Sequence, residues 1–118
     1  MQRDLDLIRA ILLELEKHDN PSRDVKLDCP GYTDDQISYH VKMLAEHGFI
    51  EAINFSSLSG MEWRPTSLKW EGHEFLDAAR NATVWHKLKV ELKDRGMSLP
   101  MSLIQQLAIK IAAKMAGL

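Results

Sequence analysis

Apolar residues recur every three or four positions near the start of the chain, and this spacing predicts an amphipathic helix over residues 4–18. Its apolar stripe is formed by four aliphatic residues: Leu5, Ile8, Leu12 and Leu15. Pro21 disfavours helical angles at the residue before it, so the helix must end before that point. Apolar and polar side chains then alternate over residues 25–28, which predicts one short strand.

A second helix is predicted to begin at Thr33. A hydroxyl residue followed three positions later by Gln36 fits the capping-box pattern, in which each side chain binds a free main-chain N–H group of the other. Gly48 suits the left-handed conformation that ends many helices. Between these ends, three apolar residues at helical spacing are expected to face the core: Ile37, Val41 and Leu44.

A β-hairpin is predicted next, from two runs of β-forming residues over 49–55 and 62–70. Residues 56–60, which are rich in serine and end in glycine, form its tip. Pro65 lacks a main-chain N–H group, so its place in the second run indicates an edge strand or a bulge.

The remainder of the chain returns to helical spacing. Asn81 is a suitable N-cap, Gly96 a suitable helix end, and Ser98 with Pro100 a suitable helix start. Three further helices are predicted, over residues 71–80, 82–95 and 101–115. The last is apolar over a wide arc, which is typical of a buried helix. Its partner is expected to be either the body of the chain or the same helix of a second copy, as in a homodimer.

The order helix, short strand, helix and β-hairpin resembles a winged helix-turn-helix. We therefore expect an α+β fold, with a winged-helix-like core over residues 1–80 and a C-terminal helical extension over 81–118, within a single domain of 118 residues. The scaffold helix that usually precedes the recognition helix is absent or reduced to the turn at residues 29–32.

A closer resemblance covers most of the chain. Several blocks are similar to the YjcQ-like family of short bacterial, phage and prophage proteins: residues 3–9, 31–32, 39–40 and 68–80, followed by Trp85. Lys69 stands where that family usually has a threonine. The resemblance implies a winged-helix fold and a mobile-element setting, and it implies no catalytic residue.

Composition and charge fit an ordinary soluble domain, because 45% of residues are hydrophobic, 27% are charged and the formal net charge is -2. The charge is uneven: residues 1–81 carry nine basic and fifteen acidic side chains, and residues 82–118 carry six and two. No apolar run approaches the length of a membrane span, and the acidic N-terminus lacks the apolar region of a signal peptide. These observations predict a cytoplasmic protein without a membrane partner.

The second helix and the hairpin carry the candidate DNA contacts. Side chains able to reach base edges or phosphates lie around the predicted outward face: Gln36, Ser38, Tyr39, His40 and Lys42, with Arg64 on the hairpin. This set predicts double-stranded DNA as a partner and a regulatory role. Three acidic residues on the same helix argue against DNA binding, because they would repel phosphates: Asp34, Asp35 and Glu46.

The alternative is a protein-interaction adaptor that uses the same scaffold without binding DNA. The hairpin tip carries no cation, and Leu58 and Met61 would form a protein-contact patch if they were exposed. Two pairs of lysines four residues apart share helix faces further along: Lys89 with Lys93 and Lys110 with Lys114. The two lysine pairs either contact successive phosphates of DNA or form ordinary solvated helix faces.

No enzyme, metal site or cofactor is expected. The five histidines contain no HExxH pattern, and His40 and His47 lie two turns apart without a nearby third ligand. The lone Cys29 excludes an intramolecular disulfide and has no basic partner in the sequence. Three large aromatic residues are expected in the core or at its edge: Trp63, Trp70 and Trp85.

Overall fold

The computed structural model describes residues 1–95 and 99–118, which form five helices and one two-stranded antiparallel sheet. In chain order these are α1 (Leu5–Glu16), α2 (Asp34–His47), β1 (Ile50–Asn54), β2 (Trp63–Leu68), α3 (Trp70–Ala79), α4 (Ala82–Arg95) and α5 (Met101–Met115). The α+β class is confirmed, and each of these elements was predicted to within two residues at either end. The helix end expected at Gly96 and the start expected at Ser98 lie outside the described residues.

The chain divides into two compact units, Met1–His73 and Glu74–Leu118. The division falls inside α3. In the first unit, α1 packs against α2 and β2, and α2 contacts both strands. The core of this unit is aliphatic and aromatic, and its largest fully buried side chains include Leu7, Ile11, Leu12, Val41, Phe49 and Ile50.

The ends of α2 confirm the predicted capping chemistry. Thr33 and Gln36 form the reciprocal capping box, with distances of 3.1 Å from the Gln36 main-chain nitrogen to Thr33 Oγ1 and 2.9 Å from the Thr33 nitrogen to Gln36 Oε1. Gly48 ends the helix at a φ of 89°, where a side chain would be strained. Asn81 likewise caps α4, because its Oδ1 atom accepts from the main chain of Thr83 and Val84.

The strand predicted over residues 25–28 is wrong. No strand is assigned there, and the segment is joined to the sheet by a 2.8 Å hydrogen bond from the Val25 N–H group to the Pro65 carbonyl. The reason lies in β2, where Pro65 has no N–H group and the N–H group of Trp63 donates to Ser38 Oγ at 3.2 Å. The outer edge of β2 therefore cannot supply a continuous ladder. The bulge expected near Pro65 is present as a register shift opposite it, between Glu51 and Ala52.

The second unit is built on the packing of α4 against α5. The rings of Phe75 and Trp85 meet edge to face with centroids 6.4 Å apart. Only part of the apolar arc of α5 is covered: Ile104 and Ala108 are buried, whereas other apolar residues of this helix are exposed, namely Leu103, Ile109 and Met115. The body of the chain therefore covers one part of the apolar arc, and a second copy stays a prediction for the rest.

Trp70 does not lie in the core as expected, because 76% of its surface is exposed. The cause is a close approach at Gly72, which faces the Phe49 carbonyl so closely that a Cβ atom would overlap it. At 3.6 residues per turn, positions two apart on a helix point in roughly opposite directions. Because Gly72 faces the main chain of Phe49, Trp70 is directed away from it and into solvent. Trp85 is buried and Trp63 half-buried, as predicted.

Candidate functional site

A cleft of about 340 Å³ opens in the first unit, where the N-terminal end of α2 faces the hairpin and the segment at residues 25–27. One side carries carboxylates from the start of α2, Asp34 and Asp35. The other side carries hairpin residues, among them Met61 and Arg64. The cleft thus lies between the two elements that sequence analysis selected for recognition.

Arg64 is held within this surface by two carboxylates. Its Nη2 atom lies 2.8 Å from Glu62 Oε1 and its Nη1 atom lies 3.1 Å from Asp24 Oδ2. Its guanidinium carbon lies 5.3 Å from the centre of the Phe55 ring, a cation–π distance. The hydrogen bonds to Glu62 and then Asp24 raise the pKa of Arg64 above its ordinary value. The cation predicted to meet DNA is therefore already compensated inside the protein.

Ser38 and His40 lie on the buried sides of α2 rather than beside its outward face, so their predicted placement is wrong. Ser38 accepts the hydrogen bond from Trp63, and His40 is only 1% exposed. His40 Nε2 lies 2.8 Å from the Asp4 main-chain nitrogen and Nδ1 lies 2.7 Å from the Gln36 carbonyl oxygen. Because an N–H group can only donate, Nε2 accepts and the ring proton sits on Nδ1. His40 is therefore withdrawn from the surface, whereas Ser38 is largely buried at the lining of the cleft.

His40 belongs to a short network that fixes the start of α1. Asp4 caps α1 by accepting from the Leu7 main-chain N–H group at 3.1 Å. The other carboxylate oxygen of Asp4 accepts from the Tyr32 hydroxyl at 3.1 Å. Burial and this hydrogen bond raise the pKa of Tyr32. Tyr32 and His40 therefore stabilise the start of α1, a structural role that no local sequence pattern indicated.

The other predicted contact residues remain on or near the surface. Gln36 is half-buried and engaged in the capping box, whereas Tyr39 and Lys42 are half-buried farther along α2. Asp34, Asp35 and Glu46 are exposed. The accessible side of α2 therefore presents more carboxylates than cations.

Three apolar side chains at or next to the serine-rich hairpin tip are open to solvent. Leu58 is fully exposed, and Phe55 and Met61 are exposed beside it. The exposure that the adaptor interpretation required of Leu58 and Met61 is thus present. Phe55 was not identified from the sequence, because it looks like an ordinary inward-facing strand residue. Asp24 was also missed, since it lies 40 residues from its partner Arg64.

Two further features concern possible metal ligands and the lone cysteine. Across residues 1–95 and 99–118, no group of three or more His, Cys, Asp or Glu side chains is placed to hold a metal ion. Cys29 is buried, and burial together with the nearby charges of Glu14 and Asp28 raises the pKa of its thiol. A raised pKa keeps the thiol protonated and hence a poor nucleophile. None of the described helices is both long and apolar enough to cross a membrane.

Comparison with known proteins supplies a family but no activity. An uncharacterized protein of Haemophilus influenzae is 41% identical over 116 residues, which cover 98% of each chain. No solved structure matches the chain. The model of the family described as "Hypothetical protein (DUF2513)" matches residues 2–98. A family of unknown function was expected from the sequence, and this chain belongs to the DUF2513 family.

Proposed function

We propose that the first unit is a winged-helix-like scaffold that recognises another protein through its hairpin tip and the adjoining cleft, without catalysis. The observation that carries this proposal is the state of Arg64, whose charge is compensated by Asp24 and Glu62 beside an exposed apolar tip. Such a surface suits a protein partner better than a polyanion.

Charge argues against DNA at this surface. Affinity for duplex DNA depends first on neutralising phosphates with uncompensated Lys and Arg side chains. The hairpin offers Arg64 in a paired state, and the first turn of α2 offers Asp34 and Asp35. A helix that enters the major groove by its N-terminal end would bring these two carboxylates toward the backbone.

The apolar tip argues for a protein partner. Exposed apolar side chains that form a cluster often mark interaction sites, because covering them removes apolar area from water. Phe55, Leu58 and Met61 stand together on one hairpin, and Phe55 is held by its contact with Arg64.

Photo-crosslinking from the tip tests this function. A photoreactive amino acid at Leu58 is expected to give discrete higher-mass products in the cells that encode the chain. These products should survive nuclease and disappear with protease. The same group at Thr83, which is exposed on α4, serves as the matched control and should give none. Products from position 58 that are lost on nuclease treatment would contradict the proposal.

DNA recognition is the second candidate function. It is favoured by the position of Tyr39 and Lys42 on a well-capped helix that leads directly into a hairpin, an order that suits a recognition helix followed by a wing. The likeness to the YjcQ-like family, the phage or prophage setting and the cytoplasmic location belong to the same proposal. Replacing Lys42 by alanine would weaken binding to all sequences if this helix lies on DNA.

Self-association through α5 is a further part of the proposed partner set. Leu103, Ile109 and Met115 are exposed at different angles around this helix, so a second copy would cover only part of this apolar surface. Light scattering on the full chain reports whether a homodimer forms, and a monomer at all concentrations would remove this contact.

A further inference from the structure

The outer edge of β1, on the side away from β2, carries unpaired main-chain groups. The N–H group of Phe55 donates to the Glu62 carbonyl at 2.7 Å, so the main-chain groups of Phe55 face β2. These groups point alternately to the two sides of an antiparallel strand. Those of Ile53 therefore also face β2, whereas those of Ala52 and Asn54 face away. Within the part of the chain that the structure describes, these outward groups of Ala52 and Asn54 make no hydrogen bond.

The opposite edge of the sheet, that of β2, is already used by the fold. The Val25 N–H group donates to the Pro65 carbonyl, and the Trp63 N–H group donates to Ser38 Oγ. β1 contains neither proline nor lysine, two residues that protect edge strands from further pairing. The extra residue of the bulge, Thr66, lies on β2 and not on β1. β1 is therefore a regular edge strand of five residues that can accept one more strand.

The side chains on the solvent face of β1 are mostly apolar. Glu51, Ile53 and Phe55 lie on this face at alternating positions, and the exposed fractions of Ile53 and Phe55 are 39% and 44%. The carboxylate of Glu51 lies 3.8 Å from Lys69 Nζ of the same chain. A strand added here therefore meets a β-branched side chain and an aromatic ring rather than a row of charges.

We propose that the added strand is β1 of a second copy, paired antiparallel about a two-fold axis at Ile53. Ala52 of each copy exchanges both main-chain hydrogen bonds with Asn54 of the other, because these two residues carry the outward groups. The two Ile53 side chains meet at the axis, where a pair without hydrogen bonds brings the strands closest. Glu51 faces Phe55 of the other copy, so no like charges oppose each other. The pairing joins the sheets of two copies into one continuous sheet.

The residues of β1 favour a second copy over a foreign strand. On a two-fold axis the same surface serves both partners, and each exposed Ile53 is covered by its own equivalent. An axis at Ala52 would instead place the Glu51 carboxylate against Ile53 and keep the two aliphatic side chains apart. The inference goes beyond the proposed function, which concerns the cleft and the hairpin tip.

Charge at the axis tests the pairing on the full chain. Sedimentation of the unchanged chain at rising concentration should show a monomer–dimer equilibrium. Ile53→Lys places two positive charges opposite each other and should weaken the dimer about tenfold. An equimolar mixture of I53K and I53E chains should restore it, because opposite charges then meet at the axis. Ile109→Lys changes a similarly exposed isoleucine on α5, is the matched control, and should leave the dissociation constant unchanged.

Main-chain groups supply an independent test. Ala52→Pro removes an outward N–H group and places a ring on the edge without breaking a hydrogen bond inside the copy, so it should abolish dimerisation. Circular dichroism shows whether each variant keeps its fold, and this variant replaces Ile53→Lys if the charge unfolds the hairpin. In the unchanged chain, protection of the Ala52 and Asn54 amides from exchange should rise with concentration. The Ile53 amide, held by β2, should stay protected throughout.

Several results would overturn the inference. They are a monomer at millimolar concentration, a dimer that survives both Ile53→Lys and Ala52→Pro, a dimer tightened by Ile53→Lys, failure of the mixed chains to associate, or a dimer lost with Ile109→Lys. A photoreactive group at position 53 should give adducts of twice the mass of the chain in the cells that encode it. Adducts of other masses alone would show a foreign strand at this edge and would also overturn the inference. The proposed function is tested separately from position 58.

Discussion

Gly72→Ala is expected to destabilise the first unit by about 3 kcal/mol, at the upper end of what overpacking usually costs. Gly72 lies in the first turn of α3, directly over the main chain of Phe49. A Cβ atom there would overlap the Phe49 carbonyl oxygen, and the carbonyl carbon would lie only 3.1 Å away. The same oxygen accepts a 2.8 Å hydrogen bond from the Lys69 N–H group. A main-chain group held in this way cannot move aside as a flexible side chain would.

Urea unfolding followed by far-ultraviolet circular dichroism measures this effect as a lower midpoint. His73→Ala, one residue further along the same helix and exposed, is the matched control and should change stability by less than about 0.5 kcal/mol. Equal midpoints for Gly72→Ala and the unchanged chain would show that α3 does not approach Phe49 as described.

His40→Ala is expected to cost on the order of 3 kcal/mol, from the cavity left by a buried ring and from the loss of two hydrogen bonds. Its Nε2 atom accepts from the Asp4 N–H group, which would be left in a partly buried place without that acceptor. Asp4 also caps α1, so the loss should loosen the start of that helix. The expected result is a lower urea midpoint and faster amide exchange in the first turn of α1.

His86→Ala supplies the comparison, because His86 is exposed on α4 and its removal should have little effect. A His40→Ala variant of unchanged stability that lost a binding activity would contradict the structural role of His40. It would restore the original hypothesis that this residue contacts a ligand.

Features set by local chain chemistry were predictable from the sequence. The capping box at Thr33 and Gln36 depends on residues three positions apart, and the end of α2 depends on one glycine. The cap at Asn81 is equally local. These signals act within one helical turn, so no knowledge of the packing was needed to find them.

Features set by packing were not predictable in the same way. Ser38 and His40 looked peripheral on a helix with one apolar stripe, yet α2 has neighbours on two sides, since α1 contacts it as well as the hairpin. Trp70 was predicted in the core, but the contact of Gly72 with Phe49 turns the first turn of α3 so that Trp70 is exposed. The sequence suggested that the charge of Arg64 was free to contact DNA, because its partner Asp24 is distant in sequence.

The candidate site likewise combines features that the sequence predicts with features that only the packing determines. Sequence patterns selected α2 and the hairpin, and the structure places both around one cleft. The distinction between a DNA surface and a protein surface depends on which charges are paired in space. The pairing of Arg64 with two carboxylates is the reason why we propose a protein rather than a polyanion as the partner.

The most direct test of this account is selection of a random duplex DNA library on the full chain at low and at physiological salt. The account predicts no enriched sequence motif at either salt concentration. It also predicts that the double substitution Asp24→Asn and Glu62→Gln, which frees Arg64, raises non-specific DNA retention at low salt. Enrichment of one motif by the unchanged chain, weakened by added salt and by Lys42→Ala, would contradict the account and establish DNA as the partner.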